Sequence, residues 1–191
     1  MDEKLTPTAA LTAGASMGNG MVEGGELSGV FSMEHWRDGK LLHAEDFNNT
    51  VVTVGKNNAL ESTLAASALT TVGPFMGLIS SVSYTGIAAG DIMASHGGWT
   101  EAGVTNAPTY TIPRKTITFS AASGGSKASN GTYTFAFTGS GTAKGAFLVL
   151  GTGAVSTIDN TAGTLYSAGL FSIDRIVISG DTITVTYTAS M

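Results

Sequence analysis

With no cysteine in the chain, its three histidines and fourteen acids are the groups best suited to acid–base or metal chemistry. His35 and His43 flank Asp38-Gly39, with Glu34 and Glu45 beside them. Two imidazoles and two carboxylates could hold a divalent cation if they converged. A two-residue turn, however, pairs Arg37 with Lys40, position 35 with Leu42 and Glu34 with His43, leaving the histidines diagonal. The expected contact is therefore a His43–Glu34 cross-strand pair, not a metal site. His96, before Gly97-Gly98-Trp99, is expected to bond backbone in a loop. Glu45 and Asp46 are adjacent, so on a strand they point to opposite faces and cannot share a substrate. Asp159, Asp174 and Asp181 fall where turns are expected, and there Asp bonds its own backbone.

Three glycine patterns invite a catalytic or nucleotide-binding reading. Gly14-Ala15-Ser16-Met17-Gly18 matches the nucleophile elbow of serine hydrolases, but no buried strand precedes it. Gly151-Thr152-Gly153-Ala154-Val155-Ser156 follows an apolar run, as a dinucleotide loop would. It lacks the third glycine and a following helix, so it reads as a strand-to-strand loop. Gly139-Ser140-Gly141-Thr142-Ala143-Lys144-Gly145 has the wrong spacing for a phosphate loop and reads as a turn. Trp36 and Trp99 read as core or hairpin-covering aromatics. No catalytic, cofactor-binding or metal-binding residues are assigned, and no cofactor is expected.

Composition narrows the classes further. Charged residues make up 12 % of the chain, against about 25 % in ordinary domains. Residues 1–62 hold nine acids and four bases, and residues 63–191 five of each. With a net charge of −5 and no basic cluster, nucleic-acid binding is not expected. No apolar run reaches the ~18 residues of a membrane span, and the acidic N-terminus lacks the basic and apolar regions of a signal peptide. A surface so poor in charge offers little repulsion against association, so contact with other subunits is expected.

The elements that would position these groups are mainly strands. Residues 1–29, interrupted by glycines, read as an extended N-terminal arm. Its Leu5, Leu11, Met17, Met21, Val22 and Leu27 are candidate subunit contacts. Residues 30–191 read as one β-rich domain. Asp38-Gly39 centres a hairpin over residues 30–47, and spacing near the helical period predicts a helix over 48–66, capped by Asn48 or Asn49. Phe75-Met76-Gly77-Leu78-Ile79 reads as a short buried strand, and a helical turn is expected around residues 88–96. Residues 114–189 form the expected β core. There Thr132-Tyr133-Thr134-Phe135-Ala136-Phe137-Thr138 and Thr182-Ile183-Thr184-Val185-Thr186-Tyr187-Thr188 alternate, one face inward. Ala146-Phe147-Leu148-Val149-Leu150 does not alternate, as in a strand covered on both faces. Residues 176–178 and 182–188 are expected to pair as a second hairpin through Ser179-Gly180-Asp181. The fold class expected is mainly β: an antiparallel β-sandwich or jelly-roll-like barrel with one short helix and the extended arm.

Five runs stand out in order along the chain: Asn49-Thr50-Val51-Val52-Thr53-Val54-Gly55-Lys56-Asn57-Asn58-Ala59-Leu60, Gly90-Asp91-Ile92-Met93-Ala94-Ser95-His96-Gly97-Gly98-Trp99-Thr100-Glu101, Lys144-Gly145-Ala146-Phe147-Leu148, Gly163-Thr164-Leu165-Tyr166-Ser167-Ala168-Gly169-Leu170-Phe171 and Ser179-Gly180-Asp181-Thr182. In that same order they resemble stretches of a widespread family of small tailed-bacteriophage virion structural proteins of decoration or tail-associated type. The likeness extends over residues 31–189, and the N-terminal extension departs from it. It implies a non-enzymatic virion protein, first of all a capsid decoration (cement) protein that binds and stabilises the major-capsid lattice. A tail-fibre, neck or other tail-associated component is the alternative, and a host-surface glycan-binding module the second. The partners implied are the major capsid protein or tail components and copies of this chain, with no nucleic acid and no membrane. The place implied is the virion, after synthesis in the bacterial host cytoplasm.

Overall fold

The structure is a computed structural model that describes residues 27–64 and 72–191. The chain runs β1 (Ser28–Arg37), β2 (Lys40–Val51), α1 (Thr53–Leu64), β3 (Phe75–Ser80), β4 (Lys115–Thr116), β5 (Ser126–Ala128), β6 (Tyr133–Ala136), β7 (Gly141–Leu150), β8 (Thr164–Val177) and β9 (Thr182–Ser190). The strands make one antiparallel sheet in the order β4-β3-β7-β8-β2-β1-β9-β5, with β6 also on β9. This mainly β sheet curls into a half-barrel. Residues 115–120 join its ends: Thr116 pairs with Phe75 of β3, while Ser120 donates to the Ala128 carbonyl of β5 at 3.0 Å.

Alternation fixes which way each strand faces. In β1, Gly29, Phe31, Met33 and His35 point inward, and in β9 Ile183, Val185 and Tyr187 do the same. They meet Phe135 and Phe137 in the main core, where Tyr133 is half-buried. β7 serves two cores at once. Ala146 and Leu148 enter the main one, while Phe147 and Val149 enter a second with Val52, Ile79, Met93, Trp99 and Leu165. Its unbroken apolar run therefore reflects burial on both faces.

The Asp38-Gly39 turn forms as its residue types demand, both with positive φ (50° and 73°). Elsewhere the local signals mislead. Asn48 and Asn49 are not helix caps, because β2 continues through them and α1 starts at Thr53. Residues 88–96 form turns and a short Ile92–Ser95 bridge, with no helix. Gly141 to Gly145 lie inside β7, so that turn is shorter than expected. Most instructive, β8 and β9 are not a hairpin. β9 is flanked by β1 on one side and by β5 and β6 on the other, leaving no edge for β8. The segment between them turns a corner instead.

Candidate functional site

The corner is built around one carboxylate. Asp181 is fully buried, and it accepts from Arg37 Nε and Nη2 at 2.7 Å each. It also accepts from the Ile178 amide at 3.0 Å, and His35 Nε2 lies 3.0 Å away. Chiefly through the Arg37 hydrogen bonds, its carboxyl is held well below the usual carboxylate range. Asp181 does bond its own turn, but tying β1 to that turn is the part that residue type alone concealed.

The histidines sit differently from expectation. A β-bulge between His35 and Trp36 places Leu42 as the extra residue of β2, so His35 stands directly opposite His43 and Glu34 opposite Ala44. His43 Nε2 instead approaches Glu45 Oε1 at 3.4 Å, out of alignment, and both buried atoms are left without a hydrogen-bond partner. Glu45 Oε2 accepts from the amide (2.9 Å) and hydroxyl of Ser172 on β8. Among the described residues, no three or more His, Asp or Glu side chains are grouped to hold a metal ion.

A second buried pair braces the other half. Arg114 and Glu101 meet in bidentate contact at 2.8 and 2.7 Å, with side chains 0 % and 2 % exposed. Arg114 also donates to the Val155 and Asn160 carbonyls, and the Asp159 amide donates to Glu101. Burial pushes the Glu101 carboxyl up, against the pull of Arg114. Every oxygen and guanidinium nitrogen of this pair is engaged with protein, so it ties the 101–114 loop to the 155–160 loop. Asp159 reaches across to Thr105, and Asp174 is not at a turn but inside β8, paired with Lys144 at 2.8 Å. Trp99 is core, bonded to Asp91 and stacked on His96, whose Nδ1 lies 3.0 Å from the Trp99 carbonyl. Trp36 lies over the sheet with its indole N–H on Glu34.

Among the described residues, part of the sheet is left as open strand edge. β2 pairs with β8 only over Asn49, Thr50 and Val51, so residues 41–48 have no ladder partner on that side among the described residues. β8 is likewise unpaired there over 170–177, where one residue of β7, Lys144, faces the four from Phe171 to Asp174. Along this split lie exposed aliphatic side chains: Leu41 (42 %), Leu42 (44 %), Ile173 (63 %) and Ile176 (72 %). Nothing in one-dimensional alternation announced it, because strand pairing is a long-range property. A separate apolar groove of about 600 Å³, lined by Pro74, Phe119, Leu150, Tyr166, Tyr187 and Ala189, opens near the start of β1.

Of the candidate contact residues, Leu27 is half-buried just before β1, while Leu5, Leu11, Met17, Met21 and Val22 lie outside the described residues. Gly14-Ala15-Ser16-Met17-Gly18 lies outside them too. Gly151 and Gly153, both with positive φ, form the loop between β7 and β8. No described helix is long and apolar enough to cross a membrane. No family model matches the chain, and neither curated proteins nor solved structures give a significant match.

Proposed function

We propose that this chain is a structural protein of a tailed-bacteriophage particle, and specifically a capsid decoration protein that binds the major-capsid lattice and neighbouring copies. The observation that carries the reading is the ordered likeness to small phage virion proteins. Its motifs occupy the framework of the fold: Asp91, Trp99 and Glu101, the β7 run, β8, and the Asp181 corner. Two features support an assembly role. The chain is sparse in charge, and among the described residues two strand edges with exposed aliphatic side chains have no ladder partner. Such edges are normally covered or charged in free-standing proteins. The polar networks described above are engaged in bracing loops and strands, so the reading assigns no enzymatic activity. A tail or neck component is the second reading, supported by the same likeness.

Copy number separates them. Quantitative gel or mass-spectrometric stoichiometry of purified particles should give hundreds of copies on the head. A few to dozens of copies at one vertex would make it a tail or neck protein. Absence from particles would overturn the virion role altogether.

A further inference from the structure

We propose that the split between β2 and β8 is an acceptor for residues 5–22 of a second copy of this chain, which adds along β2 as an extra strand. This deepens the assembly reading above and rests on it.

The split has the parts such an acceptor needs. Over residues 41–48, the backbone donors and acceptors of β2 that face β8 have no ladder partner among the described residues, along about 25 Å. An added strand gains main-chain hydrogen bonds there and sets alternate side chains against the flanking surface. The apolar contacts are Leu41, Leu42, Ile173 and Ile176. The bulge of β8 leaves no ladder to β2 there, and the strands are linked across the split only by the Glu45–Ser172 side-chain bridge, which an added strand displaces. An edge of this length without proline is an association hazard unless something covers it.

The occupant is argued from the chain itself. Residues 5–22 carry no charge and include Leu5, Leu11, Met17, Met21 and Val22, while acids or bases flank them at Asp2, Glu3, Lys4, Glu23 and Glu26. From Thr8 onward the stretch is free of proline and long enough to run the whole edge. It belongs to a neighbour for a topological reason. The chain leaves β1 at Ser28 and Gly29, which pair with Ser190 and Ala189 of β9, on the far side of β1 from β2. At that same end, the Asn49–Ser167 side of the split is closed by the β2–β8 ladder, and α1 begins immediately after it. The chain's own segment would have to pass round the start of that helix, whereas a neighbour's enters from the open end. Donation from one copy to the next is head-to-tail, which yields a ring or an extended array.

The absence of cysteine makes the test clean. Full-length single-cysteine variants L11C and M17C would each be mixed with A44C and joined by a short bismaleimide, whose reach covers neighbouring strand registers. The expected result is cross-linked heterodimer at least tenfold above that from L11C or M17C mixed with K127C, beside the separate apolar groove. An excess of a synthetic residues 5–22 peptide should abolish it. Three results would overturn the acceptor: preferred linkage to position 127, A44C linking mainly to itself, or a dilute L11C/A44C double variant linking within one chain. Particles that contain the protein but no link between 11 or 17 and 44 would sink the acceptor and leave the virion role standing. The link in a protein absent from particles would do the reverse.

Discussion

The two halves of the curled sheet differ in how many of their faces are covered. β3, β7 and β8 lie between two cores, with the 80–105 loop and α1 on the outside, and they are braced there by Glu101–Arg114. β1, β2 and β9 bury one face only, and their outer face carries Ser32, Glu34, Asp46, Thr184 and Thr186. The first half can hold a fully desolvated ion pair because loops wrap it. The second keeps its ion pair at a corner, with Arg37 partly in solvent. Burial on both faces is confined to one side, and the strand edge left unpaired among the described residues faces the junction between the two.

The sharpest way to break that contrast is Glu101→Ala. It leaves the Arg114 guanidinium buried with its bidentate partner gone and the Asp159 amide unbonded. Breaking a buried pair from one side costs about 3–5 kcal/mol, and urea unfolding should register a loss of that size. Replacing both Glu101 and Arg114 with apolar residues of similar volume should cost clearly less, because no charge is stranded. A loss below about 1 kcal/mol in the single variant would mean that the pair is solvated and the half less tightly wrapped than described.

Asp181→Asn comes next and acts through pH. Asp181 has its folded-state carboxyl depressed, so its contribution is fully present above the unfolded value of about 3.9. That contribution is lost as pH falls below this value toward the folded-state one. At neutral pH the variant should lose about 1.5–3 kcal/mol, the range for hydrogen bonds to charged groups. It should also show a shallower fall in stability below pH ~4 than the native chain. Parallel acid unfolding curves for the two would show that Arg37 and His35 do not discriminate the ionised form.

The sequence was most legible where a residue's environment is set by its nearest neighbours in the chain. Asp38-Gly39, the alternation of β9 and the unbroken apolar run of β7 each forecast what formed. It was least legible where partners lie far apart in sequence. The Ile176–Thr188 stretch looks like a hairpin locally, and only the occupation of both β9 edges by β1, β5 and β6 forbids it. The same holds for Asp181 with Arg37, for Glu101 with Arg114, and for the histidine register, where a single bulge reversed the pairing. The open β2–β8 split is of this kind as well, since an unpaired edge can be recognised only when every strand's partners are known.

The smallest effect is the most diagnostic, because two terms of opposite sign compete. Gly55 lies inside α1, where glycine weakens a helix by about 1 kcal/mol relative to alanine, and from sequence it counts against the helix. It is also the one buried residue of α1, and a Cβ there would stand 2.2 Å from the Tyr166 carbonyl oxygen of β8. That neighbour is backbone within a strand paired to β7, so it cannot swing aside as a side chain would. Gly55→Ala must therefore lift the helix from β8, at a typical overpacking cost of about 1–3 kcal/mol. Subtracting the gain in helix propensity leaves a net destabilisation of roughly 1 kcal/mol. Equilibrium urea unfolding can resolve the sign. A stabilised variant would show that α1 is not seated on β8, and the doubly covered half would then lose part of its outer layer.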